Sequence, residues 1–328
     1  IGGALIRKLL KESKCIIFNI DKLGYASDQK SIYEVINNNN IDQKRYTFLK
    51  VDLSHKESIN DAVEHANPDI VMHLAAESHV DNSINAPERF IYSNIIGTYN
   101  LLNAIKNHFL NLPLDRKNIF KFHHISTDEV YGSLSLNDPK FQEDTNYDPR
   151  SPYSATKASS DHLVNAWHHT YGLPIVITNC SNNFGPWQFP EKLIPVVITN
   201  ALSGEKIPLY GDGLNIRDWL FVEDHINALI LVANKGKIGS KYCIGGFGEK
   251  SNFQVVKTIC NILDNKMNPS SSFFNLVELV NDRLGHDRRY AINSFKIQNE
   301  LSWEPIYNFE EALNITVDWY IRNIEWCK

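Results

Sequence analysis

The sequence is poor in cysteine, in long apolar runs and in excess charge of either sign, and each shortage excludes something. Five cysteines, Cys15, Cys180, Cys243, Cys260 and Cys327, stand singly with no C-x-x-C pair among them. An odd, dispersed set argues against a disulfide framework and a cysteine zinc site, and it suits a reducing cytoplasm. The longest apolar runs, such as 228–233, fall far short of the roughly 20 residues a membrane-spanning helix needs. With 33 basic residues against 38 acidic ones, the net charge of -5 offers no nucleic-acid-binding surface, although a local cationic pocket for phosphate stays open. Low complexity is confined to Asn37-Asn38-Asn39-Asn40, expected at a surface loop tip, and no internal repeat is visible.

What is present is an ordinary globular composition, 43% hydrophobic and 22% charged over 328 residues, enough for one large domain or two smaller ones. In the first half, short β-rich runs (16–21, 47–52, 69–75, 119–126 and 174–179) alternate with helical patterns at 57–65, 87–109 and 152–171. The runs are apolar nearly throughout, as strands covered on both faces should be, and the alternation predicts a doubly wound parallel α/β sheet of Rossmann type. After Asn183 the rhythm loosens, with helical stretches at 193–202, 222–233, 253–263 and 309–323. Residues 1–183 are therefore read as a dinucleotide-binding domain and 184–328 as a smaller, mostly helical substrate domain, some of whose segments return to the first. The opening Gly2-Gly3-Ala4-Leu5-Ile6 reads as a helix already under way, with neither a Met nor a signal peptide before it. Roughly a dozen residues forming a strand and a glycine turn are expected upstream of it.

Ligands of such sheets bind beyond the carboxyl ends of the strands. Asp21 ends the first strand about 20 residues after the glycines, where a dinucleotide fold places the carboxylate that holds a ribose. A carboxylate there favours NAD over NADP by repelling a 2'-phosphate, although Lys22 beside it weakens the argument. Asp52 and Leu53 follow the next strand and either contact adenine or start a helix. Tyr153 and Lys157 form a Y-x-x-x-K pair, one helical turn apart on the same face. An ammonium and a cationic nicotinamide both favour phenolate, so Tyr153 is suited to taking a proton from an alcohol as hydride leaves. The competing reading is a surface pair that stabilises a helix.

Asp128 and Glu129, which directly follow the hydroxyls of Ser126 and Thr127, add something that plain alcohol oxidation does not need. Once a sugar is oxidised at C4, the C5 hydrogen is acidified; Glu129 is suited to removing it while a protonated Asp128 donates to the departing C6 hydroxyl. A pair of helix-capping carboxylates is the bland alternative.

With these residues in hand, the chain resembles the dTDP-glucose 4,6-dehydratases of the extended short-chain dehydrogenase/reductase family over nearly its whole length. The resemblance is carried by the segments 73–81 (HLAAESHVD), 123–132 (HHISTDEVYG), 179–186 (NCSNNFGP), Arg217-Asp218-Trp219 and 285–290 (GHDRRY). It implies an NAD-dependent hydro-lyase acting on dTDP-glucose as a homodimer, with Thr127, Asp128, Glu129, Tyr153 and Lys157 catalytic. A 4-epimerase, or a dehydratase for another nucleotide sugar, is the alternative; a silent NAD-binding scaffold on this fold would have lost Tyr153, Lys157 or the carboxyls. The resemblance further implies cofactor contacts from Gly2, Asp21, Lys22, Asp52, Leu53, Leu74, Ala75, Ser78, Ser93, Tyr153, Lys157 and Asn183. Substrate contacts are implied for Ser78, Thr127, Asn182, Lys192, Leu193, Pro208, Tyr210, Arg217, Cys243, Asp282, Arg283 and His286, and no metal. A guanidinium fork at Arg217 suits a diphosphate, its alternative being a salt bridge to Asp218. Ser93, Cys243 and Leu284 depart from the family's usual Thr, Asn and Pro. Without an upstream strand and glycine turn, these residues are expected to fold poorly and bind NAD weakly.

Overall fold

The computed structural model describes residues 1–327. The chain forms two compact units: one of residues 1–127, 151–179 and 228–242, the other of 128–150, 180–227 and 243 onward. No helix among the described residues is long and apolar enough to cross a membrane.

In the first unit, strand Ile17–Asp21 pairs in parallel with Tyr46–Lys50. A second sheet runs in the order Ile70–His73, Lys121–Thr127, Ile175–Cys180, Lys241–Ile244, with His73 opposite His124 in a parallel register. Helices Lys56–Ala66, Gly97–Asn111 and Pro152–Tyr171 bury Ile59, Leu102, Ile105 and Val164 against Phe122, Ile175 and Ile177. Lys121–Thr127 and Ile175–Cys180 are buried at every residue, as strands with a neighbour on each side should be. Ile17–Asp21 is half-buried along its length and Ile70 is 42% exposed, against the expectation of full cover. The reason is topological, because each is an edge of its own sheet.

Two helices differ from their sequence reading. Helix Lys30–Asn38 takes in the first half of the asparagine run, with Ile32, Val35 and Ile36 packed beside Leu10 and Tyr46. The stretch 87–109 is not continuous: Pro87–Phe90 passes through a π-helical segment, Ile91–Ile96, before Gly97–Asn111. Buried Asn94 sits in the wide turn, where its amide donates to the Glu77 carbonyl at 3.0 Å and to Thr156 Oγ1 at 3.0 Å. Ser160 Oγ donates to the Asn94 carbonyl at 2.7 Å, giving that carbonyl a partner outside its own helix. Helix Pro152–Tyr171, by contrast, matches its predicted bounds. Ser151 and Ser154 form a capping box around Pro152, and Gly172 ends the helix at φ 68°.

The second unit is mostly helical, with Leu193–Ser203, Asn252–Met267 and Phe309–Arg322 around Ile198, Val256, Ile259, Leu313 and Val317. It also holds strands that the sequence reading did not name. Ile216–Phe221 lies between Asn182–Phe184, parallel to it, and Glu249–Ser251, antiparallel; Val277–Val280 runs parallel to Ile207–Tyr210.

Asp218 lies in the middle of that sheet with no exposure, and its Oδ1 accepts from the Gly248 N–H at 2.9 Å. Burial pushes its carboxyl up to about 6. A raised carboxyl favours the fold fully only below its unfolded value and loses that contribution as pH rises through about 6. Asp218→Asn keeps the acceptor without the charge, and is expected to raise stability at neutral pH by about 1 to 3 kcal/mol. Urea unfolding at several pH values checks this: the gain should vanish in acid, and a variant that is less stable at neutral pH contradicts it.

Candidate active site

The candidate residues occur in both units. In the first, strand Lys121–Thr127 delivers Thr127, 8% exposed, at its carboxyl end. The capped helix presents Tyr153 and Lys157 one turn apart, both buried. Lys157 Nζ donates to the Ile125 carbonyl at 2.9 Å, which ties the ammonium to the same strand. Tyr153 packs edge-on to Phe90, with ring centroids 6.4 Å apart. The Thr127 carbonyl accepts from Asn179 Nδ2 at 3.0 Å. This arrangement brings a hydroxyl, a phenol and an ammonium onto one buried framework, as alcohol oxidation requires.

Asp21 ends its strand with Oδ1 accepting from Leu23 N at 2.6 Å and Ser27 Oγ at 3.1 Å. Lys22 reaches away to pair with Glu77 at 2.6 Å, so its charge is engaged elsewhere than at Asp21. Burial alone would raise the Asp52 carboxyl, but bonds from Ser54 and the charge of Lys22 hold it below its ordinary value. Leu53 is buried behind it, and the Cβ that an alanine would place at Gly97 comes within 3.0 Å of the Leu53 Cβ. Leu74, Ala75 and Ser78 follow strand Ile70–His73, and Ser93 lies in the π-helical segment. Helix Gly2–Glu12 opens on Gly2 and Gly3, and first-turn N–H groups of a helix suit a diphosphate. A strand-end carboxylate, a glycine-led helix start and a tethered Tyr-Lys pair fit a nicotinamide dinucleotide. Asp21 would hold a ribose, the first turn at Gly2 the diphosphate, and Lys157 would lie near the nicotinamide.

In the second unit, Asp128 and Glu129 lie in the 3-10 turn Asp128–Tyr131. Asp128 is 1% exposed and Glu129 partly buried. Burial raises the Glu129 carboxyl, and the charges of Arg283, Lys192 and Arg217 pull it back down only in part. Three cations implied for the nucleotide sugar thus act on one carboxylate. Arg217, 4% exposed, donates to the carbonyls of Ile216 at 2.7 Å and Asp287 at 2.9 Å, with its guanidinium 4.2 Å above the Tyr290 ring. Those bonds run to neutral carbonyls and leave its charge in place; Asp218, its alternative partner from sequence, takes the Gly248 N–H. His286 Nδ1 lies 2.5 Å from Asp282 Oδ1, and burial first, then the charge of Arg283, lowers the imidazole to about 4. Lys192 and Leu193 begin helix Leu193–Ser203, and Pro208 and Tyr210 lie on strand Ile207–Tyr210. Asn182 and Asn183 share a short strand, where Asn183 Oδ1 accepts from His225 Nδ1 at 2.7 Å. Cys243 is fully buried, with Sγ 3.6 Å from the Tyr131 hydroxyl and its N–H donating to Glu143.

Sequence reasoning missed Asn94, Asp287 and Tyr290. Asp287 and Tyr290, joined by a short hydrogen bond, lie inside the quoted segment 285–290 and could have been taken from it. Asn94 carried no local signal, because its partners Glu77 and Thr156 are remote in sequence.

A family model described as GDP-mannose 4,6 dehydratase matches residues 1–316. A dTDP-glucose 4,6-dehydratase from Salmonella typhimurium is 51% identical over 99% of this chain and 91% of its own. The chain belongs to the dTDP-glucose 4,6-dehydratase family. Among solved structures of that family, DesIV from Streptomyces venezuelae, crystallised with NAD and TYD bound, superposes with a TM-score of 0.88. The two are 35% identical, over 99% of this chain and 95% of that one. The Bacillus anthracis dTDP-glucose 4,6-dehydratase in complex with NAD gives 0.84 at 40% identity, over 99% and 94% of the two chains.

The environment of Glu129 makes a spectroscopic prediction. Its carboxyl should titrate above the ordinary value of 4.5, because burial raises it, and Arg283→Gln should move it higher by removing the leading positive charge. The carboxyl infrared band lost in Glu129→Gln reports this titration. A downward move in Arg283→Gln would contradict the assignment of causes.

Proposed function

We propose that this chain is an NAD-dependent hydro-lyase that converts dTDP-glucose to dTDP-4-dehydro-6-deoxyglucose and water. The observation that carries the reading is the triplet Thr127-Asp128-Glu129, which joins an alcohol-binding hydroxyl to two carboxyl groups at a strand end. Family membership supports it independently. NAD, held by Asp21, the first turn at Gly2, Tyr153 and Lys157, would supply a hydride acceptor for C4 and, once reduced, a hydride donor for C6.

The chain's own residues do the rest. Thr127 donates to the C4 oxygen, and Tyr153, its phenolate favoured by the ammonium of Lys157, takes the C4 hydroxyl proton. Glu129 then removes the C5 proton; its raised carboxyl makes it a stronger base than an ordinary glutamate. Asp128 gives a proton to the C6 hydroxyl, which leaves as water; as hydride reaches C6, the protonated Glu129 gives its proton back to C5, and the proton taken by Tyr153 balances the one Asp128 gave up. Lys192, Arg217 and Arg283 supply positive charge for the diphosphate, and Asn182, Leu193, Pro208, Tyr210, Asp282 and His286 form the rest of the nucleotide-sugar site. In this reading the first unit holds the dinucleotide and the second the sugar nucleotide, and the dispersed cysteines suit a reducing cytoplasm.

A homodimer completes the proposal. Ile91, Tyr92, Ile96 and Tyr99 are each more than a third exposed along one helical stretch, and Tyr171 is 46% exposed at the end of the tyrosine helix. An apolar row of this kind suits pairing with its copy. Sedimentation should show a dimer that Tyr92→Glu weakens, and a monomeric wild type would refute this part.

The activity is tested by incubation with dTDP-glucose and NAD. The 4-keto-6-deoxy product is expected; unchanged substrate or dTDP-galactose would overturn the assignment. Glu129→Gln should still reduce NAD on mixing yet release water at least about 100-fold more slowly. Full turnover in that variant would remove Glu129 from its role.

A further inference from the structure

Behind Tyr153 and Lys157 lies a buried polar chain that the reaction as written does not use. Asp161 is on the same helix, one turn beyond Lys157 and two beyond Tyr153, so the three share a face. It has no exposure. Its Oδ1 is 3.0 Å from His124 Nε2, and its Oδ2 is 3.2 Å from Asn179 Nδ2. That same amide donates its other proton to the Thr127 carbonyl at 3.0 Å. A carboxylate only accepts, so His124 presents Nε2–H to it; burial lowers the imidazole below its ordinary value, in keeping with the neutral ring. The His73 ring packs 5.3 Å from His124, and His73 Nε2 bonds to Thr98 Oγ1 at 2.9 Å, which anchors the far end of the chain.

The consequence is geometric. The helix bearing Tyr153 and Lys157 touches strand Lys121–Thr127 through Lys157 on the Ile125 carbonyl and Asp161 on His124. Asn179 carries the second contact on to Thr127. We propose that Asp161 is a positioning residue for the oxidation step: through His124 and Asn179, its carboxylate sets where Thr127 stands relative to Tyr153. Lost carboxylate bonds would leave the buried His124 and Asn179 groups to find other partners, and Thr127 would move with them. A displacement of about 1 Å at a reacting group costs on the order of 100-fold in rate.

The inference rests on Thr127, Tyr153 and Lys157 forming the oxidising set. A single-turnover experiment with dTDP-glucose and NAD-loaded enzyme, followed by the absorbance of reduced nicotinamide, isolates that step. Asp161→Ala is expected to slow NADH formation by about 10- to 100-fold while KM for the sugar nucleotide and affinity for NAD change less than about 3-fold. Asp161→Asn, whose amide can accept from Asn179 and donate to a reversed His124 tautomer, should recover most of that loss. An undiminished rate in Asp161→Ala overturns the proposal, as does a loss in Asp161→Asn as deep as in Asp161→Ala, since the effect would then follow charge and not position. If Asp161→Ala does not fold, Asn179→Ala decides: it leaves the His124 to Asp161 bond intact, should slow NADH formation about 10-fold, and refutes the proposal if it does not. Tyr153→Phe separates the two levels of argument. If it leaves NADH formation intact, the oxidising set itself is wrong; if it abolishes NADH formation while Asp161→Ala has no effect, only the positioning role falls.

Discussion

The attachment of helix Pro152–Tyr171 to strand Lys121–Thr127 is the constraint on which the oxidising half of the proposed chemistry depends. A lysine ammonium is costly to bury, and Lys157 is 4% exposed, so its bond to the Ile125 carbonyl is both a requirement of burial and a fixed point for the helix. The capping box at Ser151 sets where that helix starts, and with it the turn on which Tyr153 lies. A strand buried at every residue gives the helix a rigid partner, which a half-exposed edge strand would not.

The second unit solves a different problem, that of keeping a carboxylate basic beside cations. Arg217 spends its hydrogen bonds on carbonyls and its face on Tyr290. Its charge is thereby oriented without a carboxylate at bonding distance in those contacts. Glu129 keeps a raised carboxyl because burial outweighs the pull of Arg283, Lys192 and Arg217. In the proposed reaction the balance has a use. The same cations that would hold a diphosphate would otherwise depress the base, and desolvation restores it.

The parts of this organisation that were legible in the sequence share a property: their causes are local. Ser151-Pro152 and Gly172 bracket the tyrosine helix within its own stretch of chain, and the bounds read from them match. The strand beneath it was visible from the β-rich run 119–126, bounded by the helical patterns on either side. The π-helical segment at Ile91–Ile96 was not, because its apolar spacing is that of a helix and its cause, Asn94 bonded to Glu77, Thr156 and Ser160, lies up to 66 residues away. The shorter strands of the second unit were missed for a related reason. Three or four residues, as in Asn182–Phe184 or Ile207–Tyr210, are too few to show a period, and their pairing partners are distant.

The site follows the same division. Tyr153, Lys157, Asp128 and Glu129 became candidates from spacing and chemistry, since the proposed reaction needs particular groups and the groups themselves are written in the sequence. What holds those groups is written elsewhere: Asp161 to His124 spans 37 positions and Asn179 to Thr127 spans 52. Bonds across such separations form only after the sheet has placed its strands, so they cannot drive the helix or strand to form. They act later, by selecting one arrangement among those that a packed core would allow. Apolar packing tolerates small shifts at modest cost, whereas a buried carboxylate with two fixed donors does not. In the proposed reaction a phenol must meet a sugar hydroxyl within a fraction of an ångström, which gives the fold reason to spend buried polar groups directly behind it.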